Sequence, residues 1–94
     1  MENTETFFAE IRNGNLESVS EMVSKNSKWL LAKDQRGSTP LVLATYYNQQ
    51  ELATFLIEKG VDIDAKDGSG NTALMGVSFK GYTSLAEKLI SYGA

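Results

Sequence analysis

Asp34-Gln-Arg-Gly-Ser-Thr-Pro-Leu41 is the stretch of sequence that decides the fold, and a related stretch, Asp67-Gly-Ser-Gly-Asn-Thr-Ala-Leu74, follows 33 residues later. Thr39 is a residue type that favours the N-cap of a helix, and Pro40 favours the first helical position. The glycine two residues before each threonine marks a tight turn. The two stretches therefore predict the same element twice, a turn that leads directly into a helix.

The repetition extends well beyond these two stretches. When residues 34–61 are aligned with residues 67–94, nine of the 28 pairs are identical, whereas average composition would give about two. The identical apolar residues fall at helical spacing, since Leu52 and Leu56 are matched by Leu85 and Leu89. Repetition at this period indicates stacked units that each contain the same supersecondary element.

Each unit is predicted to contain a helix, a tight turn, a second helix and an extended loop. In the second unit the helices are predicted over Leu41–Tyr47 and Glu51–Lys59. Asn48 lies at the turn between them, because asparagine tolerates a left-handed conformation better than most residues. Gly60 is predicted to end the second helix, and the Asp-rich and Gly-rich segment Val61–Gly70 to project as a turn.

The other two units carry weaker signals. In the third unit, Ser84 and Glu87 have the spacing of a capping box, which predicts that Ser84 caps the last helix. The first unit follows the common plan more loosely, with Met22 and Val23 at positions that are apolar in the later units. The core residues that seal this first unit are predicted to be Phe7, Phe8, Trp29, Leu30 and Leu31.

The repeated stretches resemble the ankyrin-repeat family. The residues of the second unit that carry the resemblance are Asp34, Gly37, Thr39, Pro40, Leu41, Ala44, Leu56, Ile57, Gly60, Asp62 and Ala65. The resemblance implies an all-α solenoid of stacked helix–turn–helix units with projecting β-hairpin-like loops. It covers residues 1–94 as a single domain, with units at about 1–33, 34–66 and 67–94.

Several positions depart from the family pattern. The family usually carries His after Thr-Pro-Leu, where Val42 and Met75 stand here, and usually Pro where Ala73 stands. Gly76 falls inside a predicted helix, which costs about 1 kcal/mol relative to Ala. The chain also stops at the counterpart of Val61, before the loop that follows a complete unit. We therefore expect the third unit to be truncated and to be the least stable of the three.

Composition narrows the function. The 9 basic and 12 acidic residues are interspersed and give a formal net charge of −3, unlike the basic clusters that bind nucleic acid. Without cysteine or histidine, the chain lacks disulfides, thiolate metal ligands and the commonest general base. The polar amino terminus does not resemble a secretory signal, and no apolar run reaches the length of a membrane span. We expect a cytoplasmic protein with no membrane or nucleic-acid partner.

The acidic residues do not form a recognisable site. A calcium loop that starts at Asp62 would need an oxygen ligand, a glycine and a glutamate where Lys66, Asp67 and Ala73 stand. No pair of carboxylates carries the signature of general acid–base chemistry, and no serine, lysine or tyrosine stands in a nucleophile motif. We therefore expect no metal, no cofactor and no enzymatic activity.

The resemblance implies that the protein binds another protein with a concave palm of first helices and with its loop tips. Carried over position by position, the contact residues are Arg12, Asn13, Lys33, Gln35, Arg36, Ser38, Tyr46, Tyr47, Lys66, Gly68, Ser69, Asn71, Phe79 and Lys80. Tyr46 and Phe79 occupy equivalent positions and are either exposed or packed between units. Tyr47 is expected to be exposed, because Lys80 fills the same place one unit later.

Two functional hypotheses remain open at this point. In the first, the chain is a monomeric protein-interaction module. In the second, it is a recognition or structural fragment of a longer multi-repeat or multidomain protein whose activity lies elsewhere. The length of the native reading frame distinguishes them.

Overall fold

The computed structural model describes residues 3–94, which form helices in three successive pairs. The helices are α1 (Thr4–Arg12), α2 (Leu16–Lys25), α3 (Pro40–Tyr46), α4 (Gln50–Glu58), α5 (Ala73–Lys80) and α6 (Thr83–Ser91), with a short 3₁₀ helix at Ser27–Leu31. No residue in the described range belongs to a strand. The predicted all-α, helix–turn–helix architecture is confirmed, with α3 and α4 each displaced by one residue from the predicted bounds.

The first helix of each pair begins at a side-chain cap. The hydroxyls of Thr39 and Thr72 accept hydrogen bonds from the backbone N–H groups of Val42 and Met75, at 3.1 and 3.2 Å. Asn3 does the same for α1. These bonds satisfy N–H groups that have no partner inside the helix, and the predicted roles of Thr39 and Pro40 are confirmed.

Each helix pair is joined by the same tight turn. Gly14, Asn48 and Gly81 adopt left-handed conformations with φ of 73°, 58° and 79°. In each turn the residue that follows the left-handed one donates its N–H to a carbonyl five residues back, at 2.9 to 3.0 Å. The prediction that Asn48 replaces glycine at this turn is confirmed.

The predicted capping box at Ser84 is wrong. The turn at Gly81 ends with a hydrogen bond from the Tyr82 N–H to the Val77 carbonyl at 2.9 Å, so the chain is already positioned to begin α6 at Thr83. Tyr82 is therefore the N-cap residue, without a side-chain cap bond, and Ser84 lies within the first helical turn.

The core runs along the inner faces of the helices. Leu52, Leu56, Leu85 and Leu89 are fully buried, as their spacing of four predicts. Buried polar groups in this core are paired, since the Thr45 hydroxyl donates to main-chain carbonyls at 2.9 and 3.0 Å. Burial of each large apolar side chain contributes about 1.5–3 kcal/mol.

The first unit is sealed mostly as predicted. Phe7 and Phe8 are buried, and the Trp29 ring stacks on Phe7 with centroids 4.8 Å apart. Leu31 is an error of prediction, because its side chain is 82% exposed. In a 3₁₀ helix, side chains three residues apart lie on the same side, so Leu31 follows exposed Lys28 toward solvent.

No helix within residues 3–94 has the length and apolar character that a membrane crossing requires.

The helices pack with α3 between α1 and α5, while α2 contacts α4. The first helices thus lie in one layer of the stack, and α2 and α4 lie in a second layer.

Gly76 lies in the middle of α5, and beyond its chain neighbours and the adjoining helix backbone no atom lies within 4 Å of the place where a Cβ would be. It therefore does not serve a close helix approach. Gly76→Ala is expected to raise the free energy of unfolding by about 1 kcal/mol, because alanine loses less backbone entropy in a helix. Urea unfolding followed by circular dichroism measures the change.

Gly60→Ala is the matched control. Gly60 is equally free of neighbours but has a φ of 96°, where a side chain is strained by roughly 1–2 kcal/mol. That variant should be destabilised. A Gly76→Ala protein no more stable than the parent would contradict the account of α5.

Candidate functional site

A concave groove of about 1080 Å³ lies between the first helices and the loops that precede α3 and α5. Seven of the predicted contact residues line it: Arg12, Gln35, Arg36, Ser38, Tyr46, Tyr47 and Ser69. The other predicted contact residues, which lie outside the groove lining, are Asn13, Lys33, Lys66, Gly68, Asn71, Phe79 and Lys80. The structure thus brings seven of the predicted residues, from α1, α3 and the two loops, around one concavity.

Part of the groove was missed by sequence reasoning. Helix α1 also contributes Thr4, Glu5, Thr6, Phe8 and Ala9 to the lining. Because α1 lacks the repeated signature, the resemblance assigned contact positions only to its last residues. The helical spacing of Glu5, Ala9 and Arg12 is the signal that could have revealed this wall.

The loop tips are held by their aspartates. One carboxylate oxygen of Asp34 accepts hydrogen bonds from the N–H groups of Arg36 and Ser38, both at 2.9 Å. Asp67 repeats the arrangement with Ser69 and Asn71, again at 2.9 Å. The side chains between these anchor points, such as Arg36 and Ser69, are exposed. Ser38 differs from the prediction in degree, since only 9% of it is exposed.

The two loops contact each other through glycine. A Cβ on Gly37 would lie 2.9 Å from the Gly68 Cα, and a Cβ on Gly68 would collide with the Arg36 carbonyl oxygen. Gly68 was predicted to be a partner contact, but its position against the neighbouring loop gives it a packing role. The backbones approach this closely only because both residues lack a side chain.

The carboxyl-terminal ends of α1, α3 and α5 form a second feature, which we call the ledge. Its six residues are Arg12, Asn13, Tyr46, Tyr47, Phe79 and Lys80. Tyr46, Tyr47 and Phe79 are 46%, 45% and 91% exposed. The open alternative for Tyr46 and Phe79 is therefore decided in favour of the surface, and the predicted exposure of Tyr47 is confirmed.

The ledge is internally organised. The rings of Tyr46 and Tyr47 meet edge to face, with centroids 5.5 Å apart and planes at 74°. The Lys80 ammonium lies 4.5 Å from the Tyr46 ring centroid, within range of a cation–π interaction. At the other end, the Gln49 side-chain amide donates to the Arg12 carbonyl at 2.8 Å and joins the first two units.

The carboxylates of residues 3–94 do not converge on a common centre, and no group of three Asp, Glu, His or Cys residues is arranged to hold a metal ion. In the groove, Asp34 and Asp67 each use an oxygen within their own turn. The arrangement offers exposed rings, cations and loop tips, which are the components of a recognition surface.

Comparison with known proteins gives a consistent family. Residues 7–94 match the family model for ankyrin repeats in three copies. The mouse ankyrin repeat and SAM domain-containing protein 6 is 31% identical over 88 residues, which cover 93% of this chain and 10% of that protein.

Two further mouse proteins are similar to the chain. The ARF GTPase-activating protein GIT2 is 34% identical over 80 residues, 85% of this chain and 11% of that protein. Synphilin-1 is 32% identical over 89 residues, 89% of this chain and 9% of that protein. The chain thus spans about a tenth of the length of these curated relatives.

The glycine contact between the loops predicts the effect of a single methyl group. Gly68→Ala is expected to destabilise the protein by roughly 1–3 kcal/mol, because the added carbon overlaps the Arg36 carbonyl and must displace a loop. Chemical denaturation measures the loss. Ser69→Ala, on an exposed neighbour, is the control and should change stability by less than about 0.5 kcal/mol. Equal stabilities of the two variants would indicate that the loops do not touch in solution.

Proposed function

This chain belongs to the ankyrin-repeat family, and we propose that it is a non-catalytic module that binds another protein through the groove, the loop tips and the ledge. The observation that carries the proposal is the exposure of three aromatic side chains, Tyr46 and Tyr47 in the groove lining and Phe79 on the ledge. Aromatic residues and arginine dominate the binding energy of protein interfaces.

The rings are supported by a surface built to hold a fixed shape. The aspartate-anchored loops form one wall of the groove, and the buried helix α3 forms its floor. A surface that is already ordered loses little conformational entropy when a partner binds. Rigid side chains such as tyrosine add contact area at a similarly low entropic cost.

The non-catalytic part of the proposal rests on chemistry. The sequence contains no histidine or cysteine, and the groove acids Asp34 and Asp67 accept bonds from their own loops. The groove is also a wide concavity on the surface, whereas acid–base catalysis relies on groups whose pKa values are shifted by burial or close neighbours. The same surface, with interspersed charges, favours a protein over nucleic acid or a membrane.

A second candidate is favoured by one observation. Because the curated relatives are about ten times longer than the stretch they share with this chain, the chain could serve as the recognition part of a longer protein whose activity lies elsewhere. Sequencing the native reading frame decides between this role and that of an independent, monomeric, cytoplasmic module.

The first prediction for this function concerns the groove, whose lining includes Tyr47 and Arg36. With the partner captured from the native host, Tyr47→Ala combined with Arg36→Ala should weaken binding by about 2 kcal/mol or more. Both side chains are exposed, so the melting curve of the double variant should stay close to that of the parent. Titration calorimetry measures the affinity.

Glu58→Ala is the control for this experiment, because Glu58 lies on α4 and is not among the residues that line the groove. It should leave the affinity unchanged. If Glu58→Ala weakens binding as much as the double variant does, the partner does not bind the groove.

The second prediction concerns salt. The candidate surface mixes Lys33, Arg36, Lys66 and Lys80 with aromatic rings and with the acids Asp34 and Asp67. Affinity for the partner should therefore fall by less than about tenfold between 50 and 200 mM salt, whereas extensive phosphate contacts would give losses of roughly 10³–10⁵. A steep decline, together with binding to nucleic acid, would overturn the proposed class of partner.

A further inference from the structure

The ledge has the opposite charge to the chain that carries it. The protein has a formal net charge of −3, but the charged members of the ledge, Arg12 and Lys80, are both cations. Both occupy the last turn of a helix, where a cation also offsets the helix dipole. Their heads remain exposed and available to a partner.

These cations lack an acidic partner within the part of the chain that the structure describes. An ion pair within residues 3–94 joins Lys25 and Glu21 on α2, outside the ledge. Lys80 instead lies over the Tyr46 ring at 4.5 Å. Arg36, at the adjacent loop tip, likewise has its backbone rather than its guanidinium bonded to Asp34.

The position of Lys80 also restricts the sign of the charge that a partner can place on the ledge. Its ammonium already occupies the face of Tyr46, so a cationic side chain of a partner would meet a like charge at the ring that could otherwise bind it. Like-charge contacts oppose association, and complementary potentials favour it. The ledge is therefore suited to carboxylates.

From these observations we propose that the segment the protein binds is acidic and also contains apolar or aromatic side chains. This inference rests on the proposed function and specifies its partner. The carboxylates of the segment pair with Arg12 and Lys80, while its apolar side chains lie on Tyr46, Tyr47 and Phe79.

The ledge also sets the length of the segment. Packed helices lie about 8–10 Å apart, so the ends of α1, α3 and α5 span roughly 20 Å. An extended chain covers this distance with about six residues, at roughly 3.3 Å each. A short linear segment is therefore sufficient to contact the whole ledge.

The experiment uses the whole chain and a phage-displayed library of random 12-residue peptides. Peptides selected on the parent protein should be enriched in Asp and Glu together with aromatic or large aliphatic residues. The most enriched peptide is then synthesised beside a counterpart in which every Asp and Glu is replaced by Asn or Gln. The counterpart should bind at least about tenfold more weakly, because each lost carboxylate leaves a cation unpaired.

Variants of the protein test whether Arg12 and Lys80 bind the acidic peptide. Arg12→Gln combined with Lys80→Gln should lower the affinity for the acidic peptide at least about tenfold, whereas Lys80→Arg, which keeps the charge, should retain most of it. The control is Lys28→Gln combined with Lys59→Gln, which removes the same charge from exposed positions outside the ledge and should leave binding unchanged. Circular dichroism melting verifies that all variants are folded.

The outcomes separate this inference from the proposed function. Selected peptides that lose affinity with Tyr47→Ala and Arg36→Ala but carry no excess of acid would overturn the acidic partner and leave protein binding intact. A set of basic peptides, or tight binding of a 15-residue oligothymidylate, would also overturn it. If the selection yields no peptide that binds the ledge, the acidic segment is overturned, and the affinity of Tyr47→Ala with Arg36→Ala for the captured partner tests the proposed function separately.

Discussion

The helix α3 is the element whose burial determines the rest of the structure. Six of its seven residues, Pro40 to Thr45, are buried, because the helix is packed between α1 and α5. Each helix pair has too little apolar surface of its own to fold independently, and stacking supplies the missing burial. The first residues free of this constraint are Tyr46 and Tyr47, at the point where the chain leaves the stack, and this is why the ledge lies at the ends of the helices.

Comparison of the second and third units distinguishes residues that build the fold from residues that form the surface. Identical pairs include the turn aspartates Asp34 and Asp67, the capping threonines and the buried leucines. The ledge positions differ, with Tyr47 in one unit and Lys80 in the next. The side chains of the ledge residues thus take no part in the hydrogen bonds that define the unit, and they can contact a partner.

Most of the fold could be predicted from the sequence because its determinants are local. The Thr39 cap and the left-handed Asn48 are each set by neighbours within a few residues. Leu31 could not be placed in this way, since its exposure depends on a 3₁₀ rather than an α conformation after α2. The N-cap of α6 was not predicted, because the turn at Gly81 places Tyr82 rather than Ser84 at the start of the helix.

The site was predictable in part for the same reason. Residues that a repeated position identifies, such as Arg36 and Tyr47, do lie along the groove. The packing role of Gly68 depends on the distance between two units, which the sequence of a single unit does not contain. The wall formed by α1 had only a weak signal in the sequence, the helical spacing of Glu5, Ala9 and Arg12. Whether Tyr46 is exposed or buried also depends on tertiary structure, because helical periodicity does not show how far the neighbouring unit covers the end of a helix.

The contact between Gly37 and Gly68 has a mechanical consequence. Two loops that touch through side chains can shift relative to one another by changing rotamers, but backbone atoms in direct contact have no such freedom. A displacement of one loop therefore requires the backbone of its neighbour to move as well. Arg36 and Ser69, although distant in sequence, thus belong to two loops that resist independent motion.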